Sequence, residues 1–213
     1  MQRKKRILQV ATIIFLVTLT AYLLWIRPWH MRWGATSQEV AVAMPGDEIV
    51  KRPTFNATRA ITIEAQPEDV WPWLVQVGCK RAGWYSYDWI DNLGIPSAER
   101  ILPEFQNLRV GDTVPMSPDG KQGLTVRAID PDRSLLWVGK NATWAWRLYK
   151  LDGGHTRLVT RVRMRYEWAS PWVVFDLLFD PGDFVMMRKM LLGIKQRAEA
   201  GASKPKLSSL NKP

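Results

Sequence analysis

The sequence predicts an α+β fold: a curved antiparallel sheet wrapped around a long C-terminal helix, behind one N-terminal transmembrane helix. Three observations predict it. An uncharged apolar run fills residues 7–26. Between residues 109 and 168 apolar side chains recur with period two, interrupted by short turn signals. A stretch with helical spacing closes the pattern, from about Phe184 to Glu199. An antiparallel sheet with its helices on one face is a layered α+β arrangement, and the concave apolar face of a curved sheet needs a long helix to cover it.

The N-terminal run holds 16 hydrophobic residues in 20, among them 12 Leu, Ile, Val or Phe. As a helix it spans about 30 Å, the thickness of a bilayer core. Tyr22, Trp25 and Trp29 fall where an interfacial aromatic belt would lie, and Pro28 is expected to end the run. A cleaved signal peptide would carry a shorter apolar region ending in small residues, whereas this run ends Leu23-Leu24-Trp25-Ile26-Arg27-Pro28. The reading is an uncleaved transmembrane helix over 7–27, after a basic flank at 1–6. Four cations precede it and two, Arg27 and Arg32, follow, so the positive-inside rule puts the N-terminus in the cytoplasm and the C-terminal domain outside.

The charge distribution limits the partners. The chain of 213 residues has 30 Lys and Arg against 20 Asp and Glu, a formal net charge of +10. Residues 1–32 contribute +6, residues 204–213 contribute +3, and residues 33–203 contribute +1. The body is nearly neutral, which argues against a nucleic-acid-binding domain. A single cysteine, Cys79, excludes a disulfide framework and a cysteine-based zinc site.

Residues 28–57 read as a juxtamembrane segment. Thr36-Ser37-Gln38-Glu39 has the capping-box pattern and opens a short helix to about Met44, where Pro45-Gly46-Asp47 stops it. The domain proper is expected over 58–200. Its first strand, Ala57–Ala65, alternates Ile61, Ile63 and Ala65 with Thr62 and Glu64. Pro67 starts a helix, Glu68 and Asp69 suit its first turn, and Val70, Leu74 and Val77 form its inward stripe. A second helix over Ser86–Leu93 is expected to turn Trp89, Ile90 and Leu93 inward.

Strands are then expected at Arg109–Met116, Gly123–Ile129, Ser134–Gly139, Thr143–Leu151 and His155–Trp168. In the last, Leu158, Val162, Met164 and Tyr166 face one way and Arg157, Arg161, Arg163 and Arg165 the other. Pro181-Gly182-Asp183 should separate the apolar stretch Pro171–Phe179 from the final helix, and 201–213 reads as a disordered basic tail.

Several strings in this order resemble one bacterial branch of the SRPBCC family (START/Bet v 1-like, polyketide cyclase/dehydrase-like). They are Trp33-Gly34-Ala35-Thr36 with Glu39-Val40, Pro45-Gly46-Asp47-Glu48, Thr58-Arg59-Ala60-Ile61, and Val70-Trp71-Pro72-Trp73-Leu74-Val75-Gln76. Tyr85-Ser86-Tyr87-Asp88-Trp89 and Phe184-Val185-Met186 with Arg188 to Lys195 complete the set, which covers roughly residues 33–200. The resemblance implies a helix-grip fold with a deep hydrophobic cavity between sheet and C-terminal helix. It does not imply a reaction.

No phosphate-binding loop, dinucleotide fingerprint, nucleophile elbow or zinc motif occurs, so no cofactor and no metal are expected. His30 reads as an interfacial residue and His155 as part of a hairpin tip. Cys79 reads as a partly buried thiol without a thiolate-stabilising setting. The densest aromatic and polar cluster is Trp84-Tyr85-Ser86-Tyr87-Asp88-Trp89, either a cavity rim or a structural helix start with Ser86 as its cap. Ligand-lining candidates are Trp84, Tyr85, Tyr87, Trp89, Trp144, Trp146, Met164, Tyr166, Met187 and Leu191. Candidate catalytic groups are Tyr85, Tyr87, Asp88 and Arg100. The arginine row is either a contact for anionic headgroups or a solvated face with acidic neighbours.

The sequence therefore predicts a membrane-anchored module that binds a hydrophobic small molecule or lipid. The alternatives are a cyclase, dehydrase or hydrolase acting on a hydrophobic substrate, and a structural partner of another membrane protein through Pro171–Phe179. The orientation is directly measurable. Alkaline phosphatase fused after Pro213 should be active in a bacterial host and a fluorescent protein at the same position dark; the reverse pattern would invert the topology.

Overall fold

The computed structural model describes residues 2–117, 119–166 and 173–203, with the backbone alone of 173–178. Six antiparallel strands form one curved sheet. They are β1 (Phe55–Ile63), β2 (Thr113–Pro115), β3 (Gly123–Asp130), β4 (Ser134–Val138), β5 (Ala142–Leu151) and β6 (His155–Met164). The order β1-β6-β5-β4-β3-β2 places the first strand beside the last, in the register Phe55 opposite Met164 and Ile63 opposite Thr156. A bulge between Val126 and Ala128 bends β3 against β4.

One face of the sheet is the main core. Trp144, Trp146 and Leu148 of β5 and Leu158 and Val162 of β6 alternate onto it, as the period-two reading requires. Two helices cover it, α4 (Pro67–Val75) and the long α6 (Val173–Ala202). Pro67 is the first residue of α4, where its missing N–H costs nothing, and Glu68 and Asp69 lie in the first turn. On α6, Met187, Met190, Leu191, Ile194 and Ala198 face the core.

The segment between the N-terminal helix and β1 packs across the other face. Its short helix α3 (Ser37–Ala41) starts with the expected capping box: Glu39 N donates to Thr36 Oγ1 at 3.1 Å, and Thr36 N to Glu39 Oε2 at 2.7 Å. Met44, Ala35 and Val138 join Ala60, Leu136, Ala145 and Val159 in a second, smaller core beneath it. Gly34 touches the carbonyl of Ala60 so closely that a Cβ would collide with it, and its φ of +73° suits glycine.

The arginine row faces this segment. Arg157 grips both carboxylate oxygens of Glu39, at 2.7 and 2.9 Å. Arg161 binds Asp47 and the carbonyls of Glu39, Val40 and Val42. Arg163 binds the carbonyl of Val50 and pairs with Asp47 at 3.2 Å. Three of the four arginines thus fix a strap to the sheet, and Arg165 alone of the row is exposed.

Several expectations change. The N-terminal helix does not stop at Pro28: α1 (Gln2–Ala21), a π-helical turn (Tyr22–Ile26) and α2 (Arg27–Met31) run on without a break. The π turn widens the backbone where the Pro28 ring would meet the carbonyl of Leu24. This helix is long and apolar enough to cross a membrane, and none of its apolar window is covered by the domain. The predicted Ser86–Leu93 helix shrinks to α5 (Asp88–Asp91). Its supposed inward stripe points out, with Trp89 76%, Ile90 52% and Leu93 64% exposed. Ser86 does not cap it, because its hydroxyl donates to the carbonyl of Met186.

The strand expected at Arg109–Met116 forms only at Thr113–Pro115, since Arg109 N bonds to Asp112 and Gly111 takes a φ of +97° to make a turn. Residues 167–168 of the expected last strand, 171–172 of the apolar stretch, the side chains of 173–178, and the tail from 204 lie outside the described residues.

Pro181-Gly182-Asp183 does not break α6 either. Tertiary bonds on both sides of Pro181 outweigh its local penalty of about 3 kcal/mol. Asp180 accepts from Arg27 Nε at 2.7 Å and from the Tyr22 hydroxyl at 3.3 Å. Asp183 accepts from Arg59 Nη1 at 2.6 Å, and Arg59 Nε donates to the carbonyl of His30 at 2.9 Å. Phe184 packs edge-on against Trp29, with ring centres 5.1 Å apart. His30, expected at an interface, is instead buried between Tyr22, Asp180 and Phe184. Arg59→Ala should cost about 3–5 kcal/mol, because it strands a buried carboxylate. Thermal unfolding of the detergent-solubilised chain, followed by circular dichroism, should show the loss. Arg59→Met/Asp183→Leu, which removes both charges, should recover most of it.

Candidate functional site

The main core of the sheet is filled by packed indoles where the resemblance implied a deep cavity. Trp137 on β4 and Trp144 and Trp146 on β5 are buried, and Trp84 reaches them from the loop after α4. Trp84 stacks on Trp144, with centroids 5.7 Å apart and planes 12° from parallel. Trp144 stacks on Trp146 at 5.1 Å, and Trp137 meets both edge-on, at 5.1 and 5.8 Å. Such packing favours offset and edge-to-face pairs.

The indole nitrogens differ. Trp144 Nε1 donates to Thr160 Oγ1 at 2.9 Å. Trp137 and Trp146 are fully buried, and their Nε1 atoms have no hydrogen-bond partner among the described residues. A buried donor left without an acceptor costs about 1–3 kcal/mol. Edge-on contact with neighbouring rings recovers at most part of that, through a weak N–H···π interaction.

The sequence-predicted lining residues divide. Trp84, Tyr85, Trp144, Trp146, Tyr166, Met187 and Leu191 are buried in this core, and Met164 packs against it half-buried. Tyr87 is half-buried at the start of α5, and Trp89 points away on the outer surface. Trp137 and Trp73 belong to the same cluster and escaped the sequence reading. The parity of β4, with Leu135 and Trp137 on the main-core face and Leu136 on the other, was the available signal for Trp137.

The candidate catalytic groups have structural partners. The Tyr85 hydroxyl accepts from Gln76 Nε2 at 2.7 Å and donates to the carbonyl of Trp73 at 3.2 Å. Burial pushes this phenol up to about 12. Gln76 Oε1 in turn accepts from Leu102 N and Gln106 Nε2. Tyr85 is therefore a hub joining α4, the loop to residue 106 and α6, whose Gly193 allows the close approach of the Tyr85 carbonyl. Asp88 accepts from both the backbone N–H and the hydroxyl of Ser97, and so ties α5 to the following loop. Arg100 is exposed.

The perturbed carboxylate is Asp91, one turn after Asp88. Burial, reinforced by the neighbouring Asp88 charge, pushes it up to about 6. A carboxyl raised in the folded state binds more protons than the unfolded chain between about pH 4 and 6, so its contribution is intact at low pH and lost as pH rises through 6. Asp91→Asn should therefore stabilise the protein at pH 8 by about 1–2 kcal/mol, solvent screening included. The difference should vanish below pH 4. Melting curves of the two proteins across that range measure it.

Among the described residues, two surface recesses lie outside the indole cluster. The larger, about 520 Å³, is lined by Ile49, Lys51, Arg52, Lys140, Asn141 and Arg165. The smaller, about 360 Å³, lies along α1 beside Ile7, Val10 and Ile14.

No family model and no curated protein matches the chain. Among solved structures it is similar to EF2215, a conserved protein of unknown function from Enterococcus faecalis, at 12% identity over 75% of this chain and 86% of that one, TM-score 0.45. NE0264 from Nitrosomonas europaea shares 10% identity over 68% and 94%, TM-score 0.45. DynU16, described as a putative protein in the dynemicin biosynthetic locus, shares 15% over 72% and 51%, TM-score 0.41.

Proposed function

We propose that the chain is a membrane-anchored helix-grip module that binds an apolar small molecule or lipid carrying a hydrogen-bond acceptor. The reading rests on one observation: two fully buried indole N–H groups, on rings 5.8 Å apart, have no acceptor among the described residues. Buried donors are almost always paired, so an unmatched pair facing the same core asks for an acceptor from elsewhere. A ligand carbonyl, ester or hydroxyl oxygen would supply it, while its apolar body replaces indole contacts. Trp84 is the one ring of this stack carried by a loop rather than by a strand.

Binding is favoured over catalysis because the phenol and carboxylate that the sequence offered for acid–base work, Tyr85 and Asp88, already serve internal partners. The anchor reading rests on the length and apolarity of the N-terminal helix, with the N-terminus cytoplasmic and the domain extracytoplasmic. Resemblance to the SRPBCC family at residues 33–200 agrees with a ligand-holding role.

The test is to extract the detergent-purified protein with organic solvent, identify what is released by mass spectrometry, and titrate the stripped protein with cis-parinaric acid while following tryptophan quenching. The expected results are a bound apolar molecule near one equivalent and a saturable titration. Trp146→Phe, which removes one donor, should weaken the titration by about three- to tenfold. Extracts holding only detergent, with a titration that never saturates, would refute the reading.

A further inference from the structure

We propose that the recess lined by Lys51, Arg52 and Arg165 is a binding site for the headgroup of an anionic phospholipid. This inference rests on the anchoring reading but not on the interior ligand. Its first support is position. Arg27, the first cation after the apolar run, reaches the carbonyl of Thr54 at 3.4 Å, and Thr54 N donates to the carbonyl of Met164 at 3.0 Å. Arg52 is therefore two residues, and Arg165 one residue, from backbone that meets the end of the anchor. If residues 7–26 cross the bilayer, this corner of the sheet lies at headgroup depth.

The second support is charge. Arg157 pairs with Glu39, and Arg161 and Arg163 share Asp47. Lys51, Arg52 and Arg165 are exposed and line the recess. Glu48 is the only acid in the loop 48–52. The third support is the exposed Ile49, 44% accessible, beside these cations in the same recess. An apolar side chain next to a cation cluster matches the boundary between phosphate and acyl chain. A site built for free phosphate would have no use for it, so the occupant is the lipid.

Full-length protein in dodecyl maltoside is titrated with dioleoyl phosphatidylglycerol and, separately, dioleoyl phosphatidylcholine, and adducts are counted by native mass spectrometry. Each near-surface cation contributes about fivefold to anionic-lipid binding. Phosphatidylglycerol should bind at least about tenfold more tightly than phosphatidylcholine. Lys51→Gln/Arg52→Gln/Arg165→Gln should reduce phosphatidylglycerol binding at least about tenfold. Arg127→Gln/Arg133→Gln/Lys150→Gln, an equal charge loss at exposed positions away from the recess, should change it less than about twofold. Near-ultraviolet circular dichroism of the tryptophan cluster reports whether each variant is folded.

Equal binding of the two lipids, or equal losses in the two triple variants, would overturn the site. Displacement of the lipid by millimolar inorganic phosphate would overturn the lipid as its occupant. Carbonate extraction of membranes separates the two readings: a protein released by carbonate refutes the anchor, whereas an anchored protein without lipid preference refutes only the recess.

Discussion

Two carboxylates three residues apart on α6 hold three distant segments in one orientation. Asp180 receives Arg27 and Tyr22 from the N-terminal helix, and Asp183 receives Arg59 from β1. Burial, reinforced by the neighbouring Asp180 charge, drives the Asp183 carboxyl up from its ordinary range, and the Arg59 guanidinium beside it offsets part of that penalty. Buried pairs of this kind add little net stability over apolar replacements, but they are costly to break singly. Their effect is therefore on geometry. Arg59 must sit beside Asp183, so β1 must lie under α6 where it pairs with β6. Arg27 must sit beside Asp180, so the N-terminal helix ends directly on the domain instead of on a free linker.

The second constraint is on the outer face of the sheet. An antiparallel sheet commonly leaves one face to solvent, and a row of arginines on that face fits such a picture. Here the row is matched by the 34–50 strap. Glu39 closes the capping box of α3 through Oε2 and receives Arg157 through both oxygens, so helix start and strand are fixed by one carboxylate. Arg157 and Arg161 hold it to the surface chiefly through main-chain carbonyls and two acids, which is how planar guanidinium groups with several donors are best used. The nearly neutral body follows: its arginines face acids of its own chain.

What the sequence made legible was whatever depends on one-sided burial. The parity of β5 and β6 placed Trp144, Trp146, Leu158 and Val162 on one face because that face is dry along its whole length. The capping box was legible because it is local. The fate of Pro28 and Pro181 was not. A proline's penalty is visible in a sequence, whereas the ion pairs and ring contacts that outweigh it join residues 22–30 to 180–184. The same holds for α5. Trp89, Ile90 and Leu93 have helical spacing, but Asp88 is drawn to Ser97, and the turn rotates their side chains outward. Of the candidate site, Trp84, Trp144 and Trp146 were found, whereas Asp91 and the unmatched N–H of Trp137 depend on burial that no local pattern encodes.

The unmatched indoles and the basic recess lie on different sides of the molecule, yet both follow from how polar groups are allotted. In the strap, the buried guanidinium groups meet acids or carbonyls, and Trp144 finds Thr160 across the strand pair. The two bare N–H groups are informative because Phe at either position would have spared the desolvation penalty at little loss of apolar contact. The same reasoning applies to Arg165. It continues the row of Arg157, Arg161 and Arg163 by strict alternation, but the strap's acids end at Glu48 and Arg165 lies beyond them. In the first three positions each guanidinium is paired with a carboxylate of the strap. In the fourth it is presented outward, beside Lys51 and Arg52, at the corner where the N-terminal helix enters.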